Sequence, residues 1–308
     1  THLDAVYGIH DDDGRLIATG ARYRNILKCI AIDHEHQGGS LFNTLMSALM
    51  NDVHRAGYAA CYVYTKASAR DAFAWLGFRE IAHVEDKLYF LEKALHGLPQ
   101  YLAALRGKYV AGSRIAAIVM NANPFTNGHR YLVEKAAREN DVVHLFVLSE
   151  DLSHYPGSVR LALVKAGIAP LKNVYVHPTG DYIISAATFP SYFLREDDDV
   201  TTIQARLDAR IFKEHIAPVL GITKRYVGHE PYSAATAIYN QALQQEFAGA
   251  PQLEIVERLR ADGEYISASR VRELIANGNL EAVRPLVPPT TFAYLQGGEL
   301  PESGNPRP

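Results

Sequence analysis

Residues 114–148 constrain the fold more than any other stretch. Ile115, Ala116, Ala117, Ile118 and Val119 form an unbroken apolar run, as expected of a strand buried on both faces. A turn follows, then a helical stretch over 129–139, then a second apolar run over 142–148. Two buried strands joined through a helix make a βαβ unit, whose crossover is right-handed. Further strands are expected at 174–177, 225–228 and 253–257, with helices between them. That alternation predicts a Rossmann-like α/β fold with a doubly wound parallel sheet. Ligands of such sheets bind beyond the carboxyl ends of the strands.

The section before it reads β-β-α-β-α-β. Strands at 16–22 and 26–33 flank a short turn. Leu41, Leu45, Met46, Leu49 and Val53 recur with the 3.6 period of an amphipathic helix. A strand is expected at 59–65, a helix at 69–76 that Gly77 stops, and a closing strand at 87–91. The expected organisation is a smaller α/β domain over 1–96, a linker over 97–112, a second domain over 113–296 and a disordered tail over 297–308. The chain begins at Thr1, without Met, directly before a strand-like stretch, so an earlier N-terminal segment is expected.

With 308 residues there is room for two domains, and 48% apolar and 21% charged residues is ordinary globular composition. A net charge of -3 provides no broad basic surface, so no nucleic-acid partner is expected. No apolar run approaches the roughly 18 residues of a membrane span. Cys29 and Cys61, the two cysteines, read as reduced buried thiols. With no disulfide framework or signal peptide, the cytoplasm is the default compartment. Asp11-Asp12-Asp13 and Glu196-Asp197-Asp198-Asp199 read as solvated acidic loops and His34-Glu35-His36 as a surface turn, so no metal site is assigned.

Two segments carry the chemistry. Asn121-Ala122-Asn123-Pro124-Phe125-Thr126-Asn127-Gly128-His129 leaves the first parallel strand and opens a helix. Thr126 or Asn127 can cap that helix, and Gly128 lets backbone approach a ligand. Free N–H groups and the helix dipole make such an end an anion site, and His129 can donate to a phosphate oxygen. A capped helix with an incidental histidine is the competing interpretation. The second segment, Ile266-Ser267-Ala268-Ser269-Arg270-Val271-Arg272, opens another helix, with Ser267 or Ser269 as N-cap. Its two first-turn arginines oppose the helix dipole. A bound anion resolves that conflict: hydroxyls, N–H groups and a guanidinium together grip a polyphosphate. A solvated basic face is the alternative. No Gly-x-x-x-x-Gly-Lys-Ser/Thr loop is present, which disfavours a P-loop enzyme.

Taken together, the segments resemble the nucleotidyltransferase superfamily of pantetheine-phosphate and nicotinamide-nucleotide adenylyltransferases. Residues 180–194, Gly228-His229-Glu230-Pro231-Tyr232-Ser233 and Thr236…Tyr239-Asn240 narrow the likeness to the citrate lyase ligases. The resemblance spans nearly the whole chain, because that family carries a GNAT-like acetyltransferase domain first. Ile30-Ala31-Ile32-Asp33 before Gln37-Gly38-Gly39, and Trp75-Leu76-Gly77-Phe78, match that domain's layout.

The resemblance implies a ligase that joins acetate to a thiol through acetyl-AMP, using ATP with Mg²⁺ and releasing pyrophosphate. The thiol belongs to a dephospho-CoA-derived arm on the acyl-carrier subunit of citrate lyase. It also implies that His129 and Thr126 serve the α-phosphate, and that Ser267, Ser269 and Arg272 hold the β- and γ-phosphates. Arg160 is a further phosphate candidate, and Gly228 and Glu230 are expected near ribose or adenine. Asn121, Asn123, Pro124, Phe125, Gly128 and Ile266 complete the expected ATP site. The first domain departs from the acetyltransferase pattern: aligned on Gln37, two positions that should be Gly or Ala are Ser40 and Phe42. That domain is therefore expected to dock the carrier or its arm instead of transferring acetyl from CoA. An adenylyltransferase making a nucleotide cofactor is the main rival. An acetyltransferase with a degenerate ATP domain and a non-enzymatic scaffold are weaker ones, since both phosphate segments are intact.

Overall fold

The computed structural model describes residues 3–37, 40–149, 153–183, 199–229, 234–261 and 263–300, with backbone alone for 234–236. The chain divides into two compact units, Thr1–Ala103 with Thr188–Arg210, and Ala104–Ala187 with Ile211–Pro308.

The first unit runs β1 (Ala5–His10), β2 (Leu16–Tyr23), β3 (Ile26–Ile32), α1 (Leu41–Arg55), β4 (Ala60–Thr65), α2 (Ala67–Trp75), β5 (Arg79–Val84), β6 (Leu88–Ala94) and most of α3 (Gly97–Arg106). Its sheet has the order β1-β2-β3-β4-β6-β5. The β3–β4 pair is the parallel one, and it matches only Ile26 to Tyr62 and Leu27 to Val63. Leu45, Met46, Leu49 and Val53 of α1 are buried as their spacing predicts, together with Leu27, Phe73 and Phe78. The strand β5 is an edge strand with Arg79, Glu80 and His83 among its six residues, a charged edge that resists further pairing. Residues 97–112, expected to link domains, include α3, at whose start the Glu92 carboxylate accepts the Leu98 N–H at 3.0 Å.

The second unit holds β7 (Ile115–Met120), α4 (Asn127–Glu139), β8 (Val142–Val147), α5 (Gly157–Gly167) and β9 (Val174–Pro178). The helix α6 (Val200–Ile211) counts with the first unit through Arg210, whose guanidinium donates to the His83 carbonyl at 2.8 Å. The second unit resumes with a π-type turn at Phe212–Ile216, α7 (Ala217–Leu220), β10 (Lys224–Gly228), α8 (Ala234–Glu246) and β11 (Gln252–Val256). It ends with the hairpin β12 (Arg260–Ala261) and β13 (Glu264–Tyr265), α9 (Ala268–Ala276), a 3-10 turn at Glu281–Leu286 and α10 (Pro289–Leu295). Its five strands are parallel in the order β11-β10-β7-β8-β9. The expected doubly wound sheet is present, and the strand order reverses between β7 and β10. That is the topological switch point, where such sheets open a ligand crevice.

Behind the turn after β7, the fully buried Phe125 ring lies on α5. A Cβ placed on Gly167 would stand 2.5 Å from that ring. Between β8 and β9, the buried His144 Nδ1 meets His177 Nε2 at 2.9 Å. Burial pushes their pKa values down to about 4 and about 3, the mutual contact adding to the shift of His177. Both rings are therefore neutral, one donating to the other.

Two outcomes are expected. Gly167→Ala overpacks the ring and lowers stability by about 1–3 kcal/mol, read as a lower urea midpoint. Between pH 6.5 and about 3, unfolded histidines bind protons that folded His144 and His177 refuse. Stability should fall as pH drops through that window, by at most about 1.4 kcal/mol per histidine per pH unit. Urea midpoints measured against pH check this, and the slope should lessen in His177→Phe.

Candidate functional site

The helix α4 starts with a reciprocal cap. The Thr126 hydroxyl accepts the His129 N–H at 3.3 Å, and His129 Nδ1 accepts the Thr126 N–H at 3.1 Å. Histidine thus takes the place that Glu or Gln holds in an ordinary capping box. A backbone N–H only donates, so Nδ1 is unprotonated and the neutral ring carries its proton on Nε2. Burial, with a smaller contribution from the Arg258 charge, pushes the His129 pKa down to about 4. At neutral pH the ring is an uncharged donor held at a helix N-terminus. Phe125 stacks on it, with centroids 5.9 Å apart. Asn127 Nδ2 ties the same turn to the Pro285 carbonyl at 3.0 Å.

The helix α9 starts at Ser267, whose hydroxyl accepts the Arg270 N–H at 3.1 Å, so Ser267 and not Ser269 is the cap. The two arginines then separate. Arg270 pairs with Glu264 at 3.0 Å. Arg272 donates to the Asn123 carbonyl at 2.5 Å and to the Ser269 hydroxyl at 3.1 Å. Gly128 lies against the buried Ile266, whose carbonyl is 3.3 Å from the Cβ position of the glycine. Gly128 thus also brings the start of α4 close to Ile266 backbone, a closeness the sequence did not show. The two segments, far apart in sequence, meet with both helix starts adjacent. The two starts carry serine hydroxyls, an imidazole and a guanidinium, a donor set suited to phosphate.

The other expected residues divide between the crevice and its support. Arg160 is fully buried, and donates to the Tyr155 carbonyl at 3.0 Å and to the carbonyl and Oδ1 of Asn121 at 2.8 and 2.6 Å. It braces the loops after β7 and β8, where the sequence reading expected a phosphate contact. Asn123 Oδ1 accepts the Tyr155 N–H at 3.0 Å, so both asparagines hold the loop. Ala122 is buried at a left-handed φ of 51°, and Asn123–Pro124 is a cis bond. Thr126, also buried, orients His129 through its cap.

Gly228 ends β10 at the switch point. A Cβ there would meet nothing within 4 Å, and its carbonyl accepts Asn240 Nδ2 at 3.3 Å. Glu230, with residues 184–194 and 231–233, lies outside the described residues. Sequence reasoning passed over Arg258, whose Nε donates to the His229 carbonyl at 2.8 Å and whose charge reaches His129. Its place just past the carboxyl end of a parallel strand was the available signal. Among the described residues no three His, Cys, Asp or Glu side chains gather as a metal site, and no helix is long and apolar enough to cross a membrane.

The family model for the citrate lyase ligase C-terminal domain matches residues 115–295. A citrate (pro-3S)-lyase ligase of Escherichia coli K12 is 41% identical over 290 residues, covering 92% of this chain and 82% of that protein. One from Klebsiella pneumoniae is 42% identical, covering 94% and 85%, and one from Haemophilus influenzae 36%, covering 93% and 88%. A family model over more than half of the chain, and relatives matched along most of their length, lead to one conclusion: the chain belongs to the citrate lyase ligase family.

Proposed function

We propose that the protein uses ATP to join acetate to a carrier-borne thiol, forming AMP and pyrophosphate and thereby activating citrate lyase. The supporting observation is the direct tie between the phosphate segments, through Arg272 to Asn123 and Gly128 against Ile266. In the first step an acetate oxygen bonds to the α-phosphorus of MgATP. The bond from that phosphorus to the bridging oxygen breaks, and pyrophosphate leaves with the electron pair. In the second, a thiolate attacks the acetyl carbonyl carbon. The bond to the phosphate oxygen breaks and AMP leaves.

Neither nucleophile needs a strong base at neutral pH, so the side chains chiefly align groups and stabilise charge. His129 donates its Nε2 proton to an α-phosphate oxygen. Ser267, Ser269, Arg272 and the start of α9 receive the β- and γ-phosphates. Magnesium arrives with ATP, held by phosphate oxygens and water. The first unit serves as the carrier dock. Phe42, half-buried, meets Phe73 edge-on at 5.5 Å and packs against the core, where a CoA pyrophosphate cradle would need close backbone. ATP and reduced thiols are cytoplasmic reactants. Cys29, half-buried, and Cys61, buried, form no disulfide, and burial pushes the Cys61 pKa up to about 11.

The test is acetate, MgATP and hydroxylamine with the protein, following acetyl hydroxamate and pyrophosphate. His129→Gln keeps a residue fit for a capping box and removes the ring donor. It should cut hydroxamate formation by about 100- to 1000-fold with the melting point little changed. Pyrophosphate released only with a nucleotide or phosphopantetheine substrate would refute the ligase and favour the adenylyltransferase. A second measurement follows the His129 ring by NMR. Its pKa, about 4 without ligand, should rise when pyrophosphate binds, because an anion favours the protonated form. An unmoved titration under saturating pyrophosphate would place the anion elsewhere.

A further inference from the structure

Three segments meet at the crevice, and the third contributes a cation. The hairpin β12–β13 pairs Arg260 with Tyr265 and Ala261 with Glu264, and Ile266 donates its N–H to the Leu259 carbonyl at 2.9 Å. Continued by one residue, that register sets Arg258 opposite Ser267, the cap of α9. Ile266, next to Ser267, is the residue that Gly128 approaches, so the strand that follows Arg258 is paired with the segment leading into α9. Its Nε donates to the carbonyl of His229, the residue after Gly228 at the end of β10. A backbone carbonyl therefore fixes its guanidinium at the switch point, as the Asn123 carbonyl fixes Arg272.

We infer that Arg258 is a phosphate-binding residue of this site, sharing the phosphate chain with His129 and Arg272. The inference rests on the crevice being the ATP site. The depressed pKa of His129, to which the Arg258 charge contributes, agrees with the two groups facing one another. Two such groups held together suit an anion between them.

The full chain is titrated with MgATP and with magnesium pyrophosphate by calorimetry, as wild type, Arg258→Gln and Arg258→Lys. Loss of a charge-assisted contact should weaken both ligands about ten- to hundredfold in Arg258→Gln, and Arg258→Lys should recover part of it. In Arg258→Gln without ligand, the His129 titration should also move upward, which loss of a merely structural contact would not cause. Wild-type affinity in Arg258→Gln, with the His129 titration unmoved, overturns the inference and leaves the ATP-site reading standing. A wild-type chain that binds neither ligand overturns that reading, and the inference with it.

Discussion

The carbonyl of Ile266 lies 3.3 Å from where a Cβ on Gly128 would stand, and the site of the second unit depends on that approach. Helix α4 is anchored by the parallel sheet, whereas α9 belongs to a later cluster with Val283, Leu286 and Phe292. Without the approach, the two helix starts would lie apart. With it, their dipoles and N–H groups act on one volume, and Arg272 can bridge from α9 to Asn123. A side chain at position 128 would press on the Ile266 carbonyl, and one of the two segments would have to give by a few tenths of an ångström.

The crevice is rich in donors before any ligand arrives. Partial satisfaction from within makes this sustainable: Ser267 caps its own helix, Arg272 occupies a carbonyl, and His129, kept neutral chiefly by burial, accepts the Thr126 N–H. These bonds keep the groups oriented at modest electrostatic cost. They also fix which nitrogen of the imidazole carries the proton, a detail that sets what the ring can do for a developing negative charge.

The parallel sheet was legible because its strands are buried on both faces, and Ile115–Met120 and Val142–Val147 are apolar almost throughout. The helix starts were legible because capping chemistry is local. Arg160 was not, because it bonds to Asn121, 39 residues away, and a buried guanidinium satisfied by carbonyls looks in sequence like any other arginine. Edge strand β5 lacked an apolar signature since one side meets solvent. The hydrophobic period likewise gave no sign that α6 counts mostly with the first unit, because period reports a buried face and not its partner.

The one phosphate candidate on helix α5, Arg160, is fully buried, yet the helix meets the loop after β7 twice. Arg160 near its start grips Asn121, and Gly167 at its end sits against the Phe125 ring that stacks on His129. The loop is thus clamped at two points by a single rigid rod. A small tilt of that rod would displace the imidazole and the strand exit together. Directed evolution aimed at the crevice would therefore find some of its strongest effects, in either direction, among residues that no substrate atom reaches.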